Sequence, residues 1–536
     1  MFFLISGLEI KAVTAPADVD GSIRKYIEKI LKLPQNSLQQ CLIKSKSIDS
    51  RSTQPQINYS VFVETEIDLT KRKSFLKISA VFEDEVQKKF SPQLNIAHNV
   101  CNDSPIIVVG TGPAGIFGAL ALARANFKVI VLDRGRKVDE REQDWKKFLQ
   151  SRELNEDSNL LIGEGGAGTF SDGKLFTRTK DPDGNFVLKT FVEHGASEDT
   201  LYLKRPHIGS DVLPRIAASM RHEIESCGGE FRFGTEVESL LIENGRAVGV
   251  MTVGGEKIYG RAVLMAHGLG GRKLTLELIK QGVPHELKGF QMGCRIEHPQ
   301  YMIDCQQYHL KQRPASLGSA EYNFVSPYDE KANIKGVSTF CMCPGGEVVM
   351  ASAWRGQLTS NGMSLHARDG KFANSCMIMS FDGRDFKDAA NAYEFLKKYE
   401  KAAFAAGGNN YALPAQSAAG FLNGREELIY PETSIRTGIV SARLDEIFPH
   451  DMRNALRRAL LNFQKKCPFF IDCGQFAGIE SCVSSPVRFV RKADSRESLL
   501  AGLYLCGEGA GYAGGIMSGA IDGLKAAQEI AAMYNR

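Results

Sequence analysis

The chain has 536 residues, 43% of them hydrophobic and 24% charged, with a formal net charge of +4. This composition is that of a globular protein with room for about three or four domains, and so small a positive excess makes no case for a nucleic-acid partner. No apolar run reaches the ~18 residues of a membrane span, and Met1-Phe-Phe-Leu-Ile-Ser-Gly-Leu-Glu-Ile lacks the basic lead of a signal peptide, so a cytoplasmic protein that touches no membrane is expected.

Residues 1–98 read as a small α/β module: strand Phe2–Ile10, helix Ile23–Leu33, strand Gln39–Ser45 and a longer strand Ile57–Ile67. It has no glycine-rich phosphate cradle, and the turn-like Phe90-Ser-Pro-Gln-Leu-Asn marks its end. The basic pieces Lys71-Arg-Lys73 and Lys88-Lys89 read as a solvated face.

Residues 99–290 open a nucleotide-binding pattern. The apolar run Pro105–Val109 leads into Gly110-Thr-Gly112-Pro113-Ala114-Gly115, and Ile116–Ala123 continues as a helix. Gly110 permits the turn, Gly112 lets backbone approach a pyrophosphate, and Gly115 lets helix and strand pack closely, with the phosphates over the helix N-terminus. A second strand, Lys128–Leu132, ends in Asp133, 23 positions after Gly110, where a carboxylate would meet an adenosine ribose, with Arg134 beside it for the adenine end. A helix over Asp139–Ser151 precedes the loop Gly163-Glu-Gly-Gly-Ala-Gly-Thr-Phe-Ser-Asp-Gly-Lys-Leu175. This loop satisfies GxGxxG by letter, yet Gly173 and the lack of a helical apolar period argue against a second nucleotide fold. A helix over Asp211–Cys227 follows, then a three-stranded meander (Val237–Glu243, Ala247–Thr252, Lys257–Tyr259) that returns to the parallel sheet through Ala262–Ala266.

From 291 to 470 the nucleotide pattern gives way to what reads as short strands and loops, an inserted α+β substrate domain. Its polar, glycine-punctuated stretches are Ser338–Gly346, Ser360–Ser364 with Arg368 and Asn374, and Pro414–Ser417. Residues 471–536 then complete the first domain. A short strand ends in Gly507-Glu508-Gly-Ala-Gly511, and Gly514-Gly515 leads into a helix from Ile516 to Ala527.

This second cradle resembles the second FAD motif of glutathione-reductase-like flavoproteins, in which an acid after Gly binds the ribityl or pyrophosphate region. Val263-Leu-Met-Ala266-His-Gly268 resembles the Ala-Thr-Gly that closes that fold, with His267 in the Thr position, and Thr235-Glu-Val237 resembles the segment whose backbone meets the adenine. Four such marks in order imply an α/β, Rossmann-type FAD-binding fold with non-covalent FAD. In related flavoproteins a loop placed like Gly163–Leu175 lies along the pyrophosphate and flavin edge. The resemblance thus adds Gly165, Gly166, Gly168, Thr169, Phe170 and Ser171 to the cofactor contacts, together with Gly507, Glu508, Gly514, Gly515 and Ile516. Lys174 reads either as a surface lysine or as a cation at the flavin N1–C2=O end that stabilises the reduced ring.

Glu164–Lys174, Pro206-His-Ile-Gly-Ser-Asp, Phe340-Cys-Met-Cys-Pro-Gly-Gly, Asn361-Gly-Met-Ser and Cys506-Gly-Glu-Gly-Ala-Gly-Tyr-Ala-Gly-Gly-Ile together resemble a bacterial family of uncharacterised FAD-dependent dehydrogenases. The resemblance covers most of the chain and implies cofactor and fold while leaving the reaction open. One departure is Asp133, where the superfamily more often has Glu.

A disulfide reductase of this fold needs a cysteine pair soon after the first βαβ unit, and no cysteine lies between Asp133 and Gly195. Cys341-x-Cys343 lacks the partners of a zinc set, so no metal site is expected and the structural reading of this pair is preferred, with redox activity the alternative. The preferred function is a flavin dehydrogenase or reductase that passes hydride between FAD and a small-molecule substrate, with NAD(P)H as a candidate transient donor. Lys174, His207, Arg295, Arg355, Asn361, Ser364 and Arg368 are the candidate polar groups for holding substrate and moving its proton. The alternative is an RNA-directed or non-catalytic flavoprotein whose N-terminal module recruits a partner.

Overall fold

The structure is a computed structural model that describes residues 1–72, 74–99, 104–177, 181–429 and 432–534. It divides into two compact units, each built from three stretches of chain.

The first unit comprises residues 1–94, 174–208 and 300–322. Its sheet is antiparallel, with strands in the order Gln40–Asp49, Gln56–Glu64, Phe2–Lys11 and Lys77–Val81. In Phe2–Lys11 the inward positions are Phe3 and Ile5, then Leu8 and Ile10. The switch from odd to even falls at a bulge between Ser6 and Leu8, where Gly7 has φ +80°. The extra residue turns the alternation over and keeps apolar side chains on the core face. The expected helix is present as Ile23–Ile30, whereas the strand Lys77–Val81 and the helix Glu83–Phe90 were not anticipated. Of the basic pieces, Lys71 and Lys88 pair with neighbouring Asp68 and Asp84 on the surface, and Lys73 lies outside the described residues.

The second unit comprises residues 95–173, 209–299 and 323–536. At its centre is a five-stranded parallel sheet in the order Leu503–Leu505, Ala262–Met265, Ile106–Val109, Val129–Leu132, Glu230–Arg232. Nearly every residue of its central strands is buried, as a sheet covered on both faces requires. Val237–Glu243, Arg246–Thr252 and Lys257–Tyr259 form the expected meander.

The inserted region is more regular than the short strands and loops expected. A seven-stranded sheet contains two ten-residue strands, Phe290–Pro299 and Phe372–Phe381, paired antiparallel along their length. Gln475–Glu480, beyond the expected boundary at 470, is also a strand of this sheet. Two amphipathic helices, Ala389–Ala406 and His450–Gln464, accompany it, and the hairpin Gly346–Met350 with Ser360–Ser364 forms a separate two-stranded sheet. The long strands escaped notice because, buried on both faces, they carry no period-two alternation. Among the described residues no helix is long and apolar enough to cross a membrane.

Candidate cofactor site

The first glycine cradle has the expected strand, turn and helix. Ile106–Val109 ends at Gly110, whose φ of +97° is a left-handed conformation that favours glycine, and the helix Pro113–Arg124 begins with Gly112 as its N-cap. Pro113 has no N–H to lose at the first turn. The N–H groups of Ala114 and Gly115 have no acceptor within the helix and are available to an anion. A Cβ built on Gly115 would stand 1.8 Å from the Gly110 carbonyl oxygen, so this glycine is fixed by packing. A Cβ on Gly112 would meet nothing within 4 Å. The space over Gly112 is therefore open to a ligand.

The second cradle arrives from the far end of the chain and meets the first. A Cβ on Gly523 would lie 1.9 Å from the Ala114 carbonyl oxygen, one on Gly519 3.5 Å from Pro113 Cβ, and one on Gly507 3.1 Å from Ala114 Cβ. Glycines on the helix Ile516–Tyr534 thus let it cross the first helix at its opening turn. The turn before it is held by a residue that was not foreseen. Buried Asp522 accepts the Gly507 N–H at 2.9 Å and forms a forked ion pair with Arg491 at 2.6 and 3.0 Å. A signal existed in the sequence, an acid between Ile521 and Leu524 on the apolar opening half of the helix, where a charge needs a buried partner.

The Gly163 loop lies across the same place. A Cβ on Gly166 would be 3.1 Å from Gly112 Cα, and one on Gly168 would touch both Ile516 and Pro113. No α-helix opens here, only a 3-10 turn over Gly166–Phe170, as its letters implied. The clamp on this loop was not foreseen. Fully buried Arg141 donates to the carbonyls of Asn159, Glu164 and Gly166 and lies 4.8 Å from the Phe170 ring, its pKa pushed down to about 10 by burial. The Glu164 carboxylate accepts the Val138 N–H at 2.8 Å and pairs with Arg221 at 2.7 Å, out of water.

The remaining expected contacts gather around these loops. Asp133 accepts from the Thr111 N–H at 2.9 Å, from the Thr111 hydroxyl and from the Gly135 N–H at 2.8 Å, so its carboxylate first holds the turn itself. Half-buried Arg134 faces Asp157 and Glu236. The segment leading to Val237 runs beside Asp133, whose carbonyl accepts the Thr235 N–H at 2.9 Å. Ala266 packs against Gly110 and Gly115, Gly268 has φ +61°, and half-buried His267 between them is bonded to Thr275 at 2.9 Å. Burial pushes the His267 pKa down to about 4, leaving the ring neutral at pH 7. Burial also pushes the Glu508 carboxyl up to about 7 against the pull of Lys288, while Gly514 and Gly515 are exposed at the helix start.

Most of the residues expected to handle substrate are engaged with partners of the protein itself. Arg295 is fully buried, and all five of its N–H donors are used: two on Glu480 at 2.5 and 3.0 Å, and one each on Asn361, Asn374 and the Cys341 carbonyl. Burial opposes its charge, but the Glu480 carboxylate together with the sulfurs of Cys343, Cys376 and Cys341 raises its pKa. Arg295 is left with no donor for a substrate, and it anchors Asn361 instead. Arg368 is likewise buried against Asp172, at 2.5 and 2.9 Å, and the Ser364 hydroxyl donates to the Pro344 carbonyl. Arg355 is exposed and donates to the Leu154 carbonyl. Lys174 and His207 belong to the first unit, where they bridge each other as isolated strand partners.

A protein from Clostridium beijerinckii described only as uncharacterised is 35% identical over 531 residues, 98% of each chain, and residues 289–482 match the family described as FAD-dependent protein, C-terminal domain-like. The chain belongs to a family of uncharacterised FAD-dependent enzymes. A 118-residue stretch, 20% of each chain, is 37% identical to a 4,4'-diapophytoene desaturase of a Methylomonas species. Overlap with solved structures is loose. A geranylgeranyl bacteriochlorophyll reductase-like protein from Thermoplasma acidophilum gives a TM-score of 0.34 at 12% identity over 81% of this chain and 80% of its own. Glycine oxidase from Bacillus cereus gives 0.31 at 10% identity over 81% and 98%. The residues of this FAD-dependent chain fit the cofactor of its family. The open space over Gly112 and the two helix openings suit the pyrophosphate.

Proposed function

We propose that this FAD-dependent enzyme is an oxidoreductase that passes a hydride between a small-molecule substrate and its flavin. The observation that carries this reading is the position of Phe170. It ends the 3-10 turn whose glycines rest on Gly112, Pro113 and Ile516, and it packs against Leu160, Val349 and Met363. Met363 is in turn a wall of a cavity of about 240 Å³ in the inserted region. The polar lining of that cavity includes Ser210, Glu347, Ser364, Lys371 and Thr433. Hydroxyls and charges of both signs suit a small polar substrate, which the rigid hairpin anchored by Arg295 would hold in one orientation. Bound FAD supplies the hydride chemistry. The first-turn N–H groups of Ala114 and Gly115 hold its phosphates, Phe170 and the Gly163 loop shield it from water, and the cavity positions what reacts with it.

Among the described residues the second GxGxxG opens only a five-residue 3-10 turn, so a nicotinamide, where it takes part, docks without a Rossmann unit of its own. The test is anaerobic titration of the purified holoprotein with NADH, NADPH and a panel of small polar metabolites, followed at the flavin absorbance. Bleaching by a metabolite or a nicotinamide supports the proposal. A flavin that dithionite reduces but none of these compounds does would refute it.

A further inference from the structure

We propose that Cys341 and Cys343 form a reversible thiol modification site, in which Cys341 takes a low-molecular-weight disulfide into a mixed disulfide and Cys343 resolves it. The pair has no part in the oxidoreductase reading and was first read as structural. Three observations overturn that preference. Cys341 has φ +43°, a left-handed conformation unusual for a residue other than Gly, Asn or Asp, and it sits where the pairing register of Val337–Cys343 shifts between Phe340 and Cys343. Two ordinary buried hydrophobes in a strand need no such distortion. The bulge places the Cys343 sulfur 3.2 Å from the Cys341 carbonyl oxygen, folded back over its partner's backbone. A permanent cation attends both: Arg295 donates to the Cys341 carbonyl at 2.8 Å and lies 4.0 Å from the Cys343 sulfur.

Accessibility assigns the order. Cys341 is half-buried beside exposed Phe340, whereas Cys343 is buried, so an incoming disulfide reaches Cys341 first. Cys294 and Cys376, on adjacent strands, are fully buried with thiol pKa values raised well above the ordinary range by desolvation, and they stay protonated and inert. Cys341 loses its proton and attacks one sulfur of the disulfide RSSR, expelling RS⁻. Deprotonated Cys343 then attacks the Cys341 sulfur and expels the second RS⁻. Both thiolates take up the released protons, so two protein thiols and one RSSR become one protein disulfide and two RSH, with the small disulfide as oxidant.

The test uses the holoprotein and oxidised glutathione, followed by alkylation of remaining thiols under denaturing conditions and peptide mass analysis. The expected result is a peptide spanning 341–343 that has lost two hydrogens and resists alkylation until reduced. Cys343→Ser should stop at a glutathione adduct on Cys341, and Cys341→Ser should leave Cys343 fully alkylated. Cys227 is exposed and serves as the internal control for reagent activity. Modification of Cys227 with Cys341 and Cys343 both fully alkylated in the wild type would overturn the proposal.

Discussion

Gly112→Ala separates the protein's own packing from its packing against cofactor. The new methyl would meet no protein atom within 4 Å, and the backbone there, φ −65° and ψ 177°, is open to alanine. Losing glycine at the N-cap costs about 1 kcal/mol, while the stiffer unfolded chain returns about 0.4–1 kcal/mol, so apoprotein stability should stay within about 1 kcal/mol of wild type. The cofactor faces a different situation. A methyl over the first turn pushes the pyrophosphate off the Ala114 and Gly115 N–H groups, and two hydrogen bonds to a charged group at about 1.5–3 kcal/mol each amount to about 3–6 kcal/mol. At 1.4 kcal/mol per tenfold, FAD affinity should fall by about two to four orders of magnitude. Deflavinated protein would be followed by thermal unfolding and by quenching of FAD fluorescence. Gly115→Ala is the contrast, because its Cβ collides with the Gly110 carbonyl and should cost the fold itself. Gly112→Ala protein that melts normally and binds FAD within threefold of wild type would show that the phosphates lie elsewhere.

Gly168→Ala places its Cβ 3.3 Å from Ile516 Cγ1, a contact relieved by a few tenths of an ångström, so FAD should stay bound with an altered visible spectrum or reduction rate; loss of FAD would rank this loop above Gly112. Because the Glu508 carboxyl is raised to about 7, its ionisation should destabilise the apoprotein as pH climbs from its ordinary value near 4.5 through 7. Glu508→Gln should therefore match wild type in Tm at pH 5 and exceed it at pH 8.5; equal values at both would place the carboxyl in water. Arg295→Met strands the Glu480 carboxylate and should cost about 3–5 kcal/mol in urea denaturation. An unchanged midpoint would mean that the network does not hold the hairpin.

Local signals were legible where short-range backbone chemistry decides the structure. Gly110, Gly112 and Gly115 report a turn, an open approach and a close contact within six residues: Gly110 has a left-handed φ, the space over Gly112 is open, and Gly115 packs on the Gly110 carbonyl. The clamp on the Gly163 loop was not legible, since Arg141 and Arg221 look like ordinary helical surface residues until folding places them over Glu164 and its carbonyls. Arg295 shows the opposite error. A polar residue in a polar stretch suggested a substrate contact, but only the register between Phe290–Pro299 and its neighbours shows that Glu480, Asn361 and Asn374 consume its donors. Likewise, nothing local in 174–208 or 300–322 indicates that these segments join the N-terminal unit.

The crossing of the helices Pro113–Arg124 and Ile516–Tyr534 bears on how the protein is made. Ala262–Met265 gains its outer neighbour only from Leu503–Leu505, and the first helix gains its glycine-faced partner only from the segment after it. On the ribosome the emerging chain therefore presents an apolar helix lacking one partner and, from the middle of its synthesis on, a parallel strand with one edge open. A product interrupted before Leu503 would retain nearly all of its sequence and still keep that raw edge. Such fragments should be sticky and colourless, and yellow colour in a lysate would then count finished molecules.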